Sequence, residues 1–169
     1  MQKKFKTVAV GGTFDEFHKG HRALLVKAFE LGEQVFIGLC SDEFAKKLNK
    51  PHATAPYKQR LEELKVFLRK HDFLGRTRIV TLDDIYGVTL SKGCVEALVV
   101  SKETESTAVR INEERKRRRL SVLHIVVVDM IPSENHVPIS TTRIHRGEID
   151  REGHILKNEK LERNVSIKS

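Results

Sequence analysis

Residues 9–21 read AVGGTFDEFHKGH, and they place three glycines, a hydroxyl group, two carboxylates and two histidines within one turn. The apolar residues at 8–10 indicate the end of a buried strand, and the apolar spacing over 22–31 indicates a helix. Where a first strand passes into a first helix of an α/β sheet, free backbone N–H groups and the helix dipole attract anions. The stretch therefore predicts an α/β fold with a phosphate site in this turn.

The two histidines of the turn have a spacing that suits phosphate binding. His18 and His21 are three positions apart, so we expect them on one face at the helix start. Both imidazoles should be neutral there, and each can donate one N–H to phosphate oxygens. Thr13 can add its hydroxyl, and Gly20 leaves room for a ligand to approach the backbone. The alternative, a capping histidine beside a surface histidine, fits the surrounding GGTFD and HKGH less well.

Other phosphate and metal sites fit this turn poorly. It has neither the GK[ST] of a P-loop nor the spacing of the dinucleotide fingerprint. Zinc is disfavoured because histidine ligands on a helix are usually four apart with a third ligand, whereas Cys40 and Cys94 are remote. We expect Asp15 to accept backbone N–H groups and orient the turn, and not to bind a metal.

Length and composition indicate one globular domain. The chain has 169 residues, with 39% hydrophobic and 32% charged residues, and its apolar runs are shorter than the ~20 residues of a membrane span. We expect a domain over 1–156 and a charged tail or surface helix over 157–169. The first residues pass directly into a strand, which argues against a signal peptide. Two cysteines beside buried strands suggest reduced core residues and a cytoplasmic protein.

The net charge of +8 favours anionic partners. The densest basic run covers 115–119, but Glu113 and Glu114 precede it and aromatic residues for base stacking are missing from it. A solvated helix face is therefore the better interpretation, and nucleic acid is not an expected partner.

Strand and helix patterns alternate along the chain. Strands are predicted at 7–10, 34–39, 78–81, 97–100 and 122–128, and helices at 21–31, 42–48, 58–70, 106–119 and 141–146. Such alternation predicts a parallel sheet with right-handed crossovers and helices on both faces. We expect a Rossmann-like order of 3-2-1-4-5, with the ligand where the strand order reverses.

Two signatures resemble those of the HxGH nucleotidyltransferases, whose catalytic fold is related to class I aminoacyl-tRNA synthetases. The first is G-T-F-D-x-x-H-x-G-H at 12–21. The second is I-S-T-T-R at 139–143, at the start of a predicted helix. Their order agrees with that of the family, and the pair is more specific than either signature alone.

Segments between the signatures resemble phosphopantetheine adenylyltransferases of the archaeal and eukaryotic type. They are TLDDIYG at 81–87, LVVSKET at 98–104, P-Y-x-x-R at 56–60 and I-N-x-x-R at 111–115, and the resemblance covers 8–147. One departure concerns Ser101 and Lys102, where the bacterial enzymes usually have an arginine-glycine pair. The resemblance implies adenylyl transfer from ATP to 4′-phosphopantetheine in coenzyme A biosynthesis, with Mg²⁺ carried by the ATP phosphates and not held directly by the protein.

The resemblance also implies roles for individual residues. Thr13, His21 and Lys46 would be catalytic, with Lys47 and Lys50 as rivals of Lys46. ATP would be bound by Gly12, Thr13, Phe14, His18, Gly20, His21, Ser140, Thr141 and Thr142. Phosphopantetheine would be bound by Lys46, Tyr57, Arg60 and Lys102. We expect a monomer or a small homo-oligomer with no membrane contact.

Other functions remain open from the sequence. The scaffold also serves nicotinamide mononucleotide adenylyltransferases, FMN adenylyltransferases and glycerol-phosphate-type cytidylyltransferases. The first motif lacks the G-R-F-Q-P-x-H form of the nicotinamide enzymes. Val137 and Pro138 stand where cytidylyltransferases have R-x-x-G before I-S. A non-catalytic module that binds nucleotides or RNA is the remaining alternative.

Overall fold

The computed structural model describes residues 2–48 and 50–156, and in them it shows a five-stranded parallel sheet. Its strands are β1 (Phe5–Gly12), β2 (Gly32–Cys40), β3 (Thr77–Leu82), β4 (Ala97–Ser101) and β5 (His124–Val128). The order is β3-β2-β1-β4-β5, which confirms the predicted order. The predicted tail at 157–169 lies outside the described residues.

Within residues 2–48 and 50–156, five α-helices connect or follow the strands. They are α1 (Lys19–Leu31), α2 (Asp42–Lys47), α3 (Tyr57–Lys70), α4 (Glu105–Arg117) and α5 (Thr141–His145). Each lies within about two residues of its predicted bounds. Among the described residues, no helix is both long and apolar enough to span a membrane.

The first strand is longer than predicted. The pattern placed its end at Val10, but Gly11 and Gly12 still pair with Gly38 and Leu39 of β2. Glycine disfavours strands in isolation, yet ladder pairing in a central strand overrides that preference. The glycine-rich segment is therefore the last part of β1, and the turn itself begins at Thr13.

Helices cover both faces of the sheet. Alternate residues of β1 and β2 pack on one face against α1 and α3, in a core that includes Leu25, Phe29, Leu64 and Phe67. The opposite face packs against α4 through a smaller cluster that includes Ala9, Leu98, Ala108 and Ile111. Burial on both faces explains the continuous apolar runs of the central strands.

The topology concentrates the carboxyl ends of all strands at one edge. The strand order reverses between β1 and β4, and ligands of open α/β sheets bind in the crevice beyond that point. The turn at 13–18 and the segment at 129–140 both follow strands at this edge. The fold therefore brings the two signatures to one region.

Candidate active site

The start of α1 is closed by a reciprocal pair of histidines. The Nδ1 atom of His18 accepts hydrogen bonds from the backbone N–H groups of Gly20 and His21, at 3.1 and 3.3 Å. In return, Nδ1 of His21 accepts the backbone N–H of His18 at 3.2 Å, and the two rings stack with centroids 3.6 Å apart. Because both Nδ1 atoms are acceptors, each neutral ring carries its proton on Nε2. Both rings can therefore donate a hydrogen bond from Nε2–H.

Burial keeps both imidazoles neutral. It lowers the pKa of His18 from 6.5 to about 4, and the positive charges of Arg22, Lys50 and Arg151 add to this effect. The pKa of His21 is lowered well below its ordinary value, again mainly by burial and next by the adjacent His18. The direction agrees with the prediction that these rings act as neutral donors.

Gly20 has a structural role in addition to the predicted one. A Cβ atom at this position would lie 2.9 Å from Cε1 and 3.0 Å from Nδ1 of His18, closer than such contacts normally come. The glycine is needed because the ring of His18 folds back over it. Nearby, Phe14 and Glu16 adopt positive φ angles of 51° and 49°, which bulky side chains rarely do. Backbone strain of this kind is concentrated at functional sites.

The second signature contacts the first through a hydrogen bond. Ser140 precedes α5, and its Oγ accepts the backbone N–H of Arg143 at 3.2 Å, which caps the helix. The hydroxyl of Thr141 donates to the backbone oxygen of Asp15 at 3.2 Å. Thr141 therefore joins two segments that are 126 residues apart in the chain.

Asp15 orients a neighbouring loop. Its carboxylate is fully buried, and Oδ1 accepts the backbone N–H of Ala55 at 3.1 Å. The Nε2–H of His145 donates to Oδ2 at 2.9 Å. Asp15 does accept a backbone N–H, as predicted, but that group belongs to the loop before α3.

A cavity of about 530 Å³ opens at the carboxyl ends of the strands, a size typical of ligand sites. All residues predicted to bind ATP lie in its wall. They are Gly12, Thr13, Phe14, His18, Gly20, His21, Ser140, Thr141 and Thr142. Two distant signatures thus form one continuous surface.

The lysine prediction changes with the structure. Lys50 lies in the wall of this cavity, and its charge acts on both His18 and His21. Lys46 is exposed and lines a second recess, of about 470 Å³, that it shares with Lys50. The structure therefore brings Lys50, and not the predicted Lys46, beside the histidines. Lys46 lies within α2, whereas His52 and Ala55 of the loop before α3 lie against Asp15 of the first signature.

Arg60 lies behind the cavity instead of lining it. Its side chain is 1% exposed and donates to the backbone oxygens of Thr13, Cys40 and Ala55 at 3.0, 2.8 and 2.7 Å. It also pairs with the Asp42 carboxylate at 3.0 Å. With these partners the guanidinium is occupied by protein groups, so its predicted contact with phosphopantetheine is replaced by a positioning role.

Two further predicted substrate contacts lie outside the described cavity wall. The Tyr57 hydroxyl is 2.9 Å from Oγ1 of Thr81. Lys102 is exposed and pairs with Asp129 at 3.6 Å. The sequence alone does not distinguish Tyr57 and Lys102 from residues that face a ligand.

The sequence did not indicate several residues of the site. Phe36, Leu82 and Tyr86 form part of the apolar wall. Leu82 and Tyr86 lie in the TLDDIYG segment, but the sequence did not assign a binding role to any of the three. His52 and His145 lie beside Asp15, although they are isolated histidines in the sequence. Only the position of His145 just after the second signature could have drawn attention to it.

Comparisons with known proteins agree with this geometry. A family profile described as cytidylyltransferase-like matches residues 9–147. A protein of Methanothermobacter thermautotrophicus described as phosphopantetheine adenylyltransferase is 48% identical over 157 residues, which is 93% of each chain. A protein of Pyrococcus abyssi with the same description is 44% identical, over 92% of this chain and 99% of the relative. The chain belongs to the phosphopantetheine adenylyltransferase family.

A solved structure has a similar fold. A protein of unknown function from Archaeoglobus fulgidus has a TM-score of 0.66 and 34% identity to this chain, and the match covers 73% of this chain and 98% of that one. In this member of the phosphopantetheine adenylyltransferase family, both signatures thus lie on a sheet of the expected order.

The buried His18 predicts a pH dependence of stability. Its pKa is lower in the folded protein, about 4, than the ordinary 6.5, so the unfolded chain binds more protons between those values and stability falls as the pH drops. From pH 7.5 to pH 5 we expect His18 to account for a loss of about 2 kcal/mol in the free energy of unfolding. Urea unfolding at both pH values measures it.

The matched variant is His18→Asn, whose side-chain oxygen still caps the helix but does not titrate. Its loss of stability over the same pH interval should be smaller than that of the unmodified protein by about 2 kcal/mol. Equal losses in the two proteins would contradict the assignment.

Proposed function

We propose that this protein transfers the adenylyl group of ATP to 4′-phosphopantetheine, giving dephospho-coenzyme A and pyrophosphate. One observation carries the proposal: the hydrogen bond from Thr141 to Asp15 unites both signatures in the wall of one cavity. The identity of 48% to a relative described as phosphopantetheine adenylyltransferase supports this choice of substrates.

The chemistry requires alignment more than a base. An oxygen of the phosphopantetheine phosphate attacks the α-phosphorus of ATP, and the bond from that phosphorus to pyrophosphate breaks. The acceptor is already anionic near neutral pH, so no strong general base is needed. The Nε2–H groups of His18 and His21 and the hydroxyl of Thr13 can donate to the charge that develops around the α-phosphate.

The other phosphates are assigned to the second signature and to Lys50. Ser140, Thr141 and Thr142 line the same cavity, and the hydroxyls of Ser140 and Thr142 and the backbone N–H of Thr141 can donate to the β- and γ-phosphates, while the Thr141 hydroxyl holds Asp15. Lys50 is the cation of the wall that is close enough to influence both histidines, and we assign it to the incoming phosphate. We propose that ATP enters as its Mg²⁺ complex, with the ion held by the phosphate oxygens, because Mg²⁺ prefers hard oxygen ligands.

The remaining walls suit the two organic parts of the substrates. Apolar side chains at the β2 and β3 end, among them Phe36 and Leu82, suit the pantetheine arm. The residues after β4 and β5, among them Thr107 and Met130, suit the adenosine. The proposal includes a cytoplasmic location and a monomer or small homo-oligomer, with no nucleic-acid partner.

The acceptor assay tests the proposal directly. Pyrophosphate release is measured with Mg²⁺-ATP and, in turn, 4′-phosphopantetheine, nicotinamide mononucleotide, FMN and glycerol 3-phosphate, and a parallel series uses CTP. We expect turnover with ATP and 4′-phosphopantetheine only, because the wall combines a phosphate site with an apolar channel. Turnover with another acceptor would keep the phosphate site and reject the proposed substrate.

Removing His21 should slow the chemical step. In His21→Ala we expect kcat to fall by about two to three orders of magnitude, because a donor to the transition state is lost, with a small change in KM for ATP. His71→Ala, at the exposed end of α3, is the control and should retain full activity. A change in KM alone would show that His21 binds the ground state and does not act in the transition state.

The two lysines can be separated by a matched pair of variants. Lys50→Ala should lower kcat by at least about tenfold, because it removes a cation beside the phosphates, and Lys46→Ala should stay within about twofold of the unmodified protein. Each variant loses one positive charge from the same part of the chain. Steady-state kinetics on both variants therefore separates the effect of the position of the lysine from the effect of the net charge. A larger effect from Lys46→Ala would identify Lys46 as the cation that acts on the incoming phosphate.

A further inference from the structure

Three potential metal ligands meet beside the phosphate site. They are the carboxylate of Asp15 and the imidazoles of His52 and His145, and one atom from each lies within 4.8 Å of the others. Oδ2 of Asp15 is 2.9 Å from Nε2 of His145 and 3.7 Å from Nε2 of His52. Ligands of a tetrahedral Zn²⁺ at ~2.0–2.1 Å are separated by roughly 3.4 Å, a value between these two distances.

His52 provides the second, independent observation. Its side chain is only 10% exposed, yet neither ring nitrogen has a hydrogen-bond partner among the described residues. Buried polar atoms without a partner are rare in folded proteins, and coordination of an ion is one way in which such atoms are satisfied. The ring stacks on His145 with centroids 4.0 Å apart and faces the same carboxylate, so both histidines are directed to one place.

Contrary to the expectation from sequence that Asp15 binds no metal, we propose that Asp15, His52 and His145 form a site for Zn²⁺ or a chemically similar transition-metal ion, separate from the Mg²⁺ that accompanies ATP. Two imidazoles and one carboxylate are a ligand set typical of Zn²⁺, whereas Mg²⁺ prefers oxygen ligands. On binding, His145 holds its proton at Nδ1 and offers the Nε2 lone pair, so the hydrogen bond to Asp15 gives way to metal coordination. The stacked rings must splay slightly for both lone pairs to converge.

Charged side chains of both signs surround this site. Oε1 of Glu16 is 3.9 Å from Nε2 of His145 and adds negative charge, while its other carboxylate oxygen pairs with Arg151. Lys50 is the opposing positive charge near His52. With one carboxylate ligand, the metal-bound site keeps a net positive charge next to a cavity proposed to hold phosphates.

The metal would connect three segments that form the cavity. Asp15 belongs to the first signature, His52 to the loop before α3, and His145 to the end of α5. His52 also lies in the cavity wall. Three protein ligands leave a fourth coordination position for water or an anionic group. The inference does not depend on which acceptor the protein uses.

Metal binding can be tested on the full chain without substrates. After removal of metals with a chelator, the protein is titrated with Zn²⁺ by calorimetry, and with Co²⁺ by visible absorption. We expect about one tight Zn²⁺ per chain, with a large excess of Mg²⁺ unable to compete. In His52→Ala and His145→Ala the affinity should fall by about 100-fold or more, because loss of a supporting partner alone costs 10–100-fold.

His154→Ala is the matched control, since it removes an exposed imidazole that pairs with Asp150. It should bind Zn²⁺ like the unmodified protein. Circular dichroism checks that each variant folds. A second readout is the melting temperature, which Zn²⁺ should raise in the unmodified protein and in His154→Ala but not in the two ligand variants.

Two outcomes would overturn the inference. One is the absence of stoichiometric Zn²⁺ binding by the unmodified protein. The other is equal affinity in His52→Ala, His145→Ala and the unmodified protein, which would mean that other histidines take up the ion. Neither outcome bears on pyrophosphate release, so failure of this inference and failure of the proposed adenylyl transfer are distinguishable.

Discussion

The buried guanidinium of Arg60 is the contact on which the geometry of the site depends. It donates to backbone oxygens in three separate segments, those of Thr13, Cys40 and Ala55, and pairs with the carboxylate of Asp42. Thr13 follows β1, Cys40 is the last residue of β2, and Ala55 precedes α3. Because the Arg60 side chain is 1% exposed, loss of the half-exposed Asp42 carboxylate would leave a buried positive charge without its ion-pair partner. The guanidinium of Arg60 thus holds these three backbone carbonyl groups together behind the wall of the cavity.

The histidine pair shows how a short motif can serve folding and chemistry together. The hydrogen bonds that satisfy the first N–H groups of α1 are the same bonds that place both protons on Nε2. Gly20 belongs to this device, because only glycine leaves room for the ring of His18. The motif therefore specifies a backbone shape, a tautomer and a protonation state with four residues.

The strand order and the gathering of the two signatures could be predicted from sequence, because strand-helix alternation permits few topologies. The role of Arg60 could not, since an arginine near a helix start is usually exposed. The choice between Lys46 and Lys50 depends on the path of the loop before α3. That path is held by the bond from Ala55 to Asp15, a tertiary contact over 40 residues that no local pattern records. Local periodicity therefore predicts the scaffold, and long-range hydrogen bonds select the side chains that reach the cavity.

The bond between Thr141 and Asp15 also constrains biosynthesis. It spans 126 residues, and that from His145 to Asp15 spans 130, so the first signature leaves the ribosome long before its partners exist. At ~5–20 residues per second, the interval is roughly ten seconds. During this time β1 and β2 can already pair and α1 can pack against them, while the cavity lacks the wall that the second signature forms. A nascent chain can therefore form most of its sheet before it can hold a nucleotide in place, and the binding surface is complete only once α5 has been synthesised.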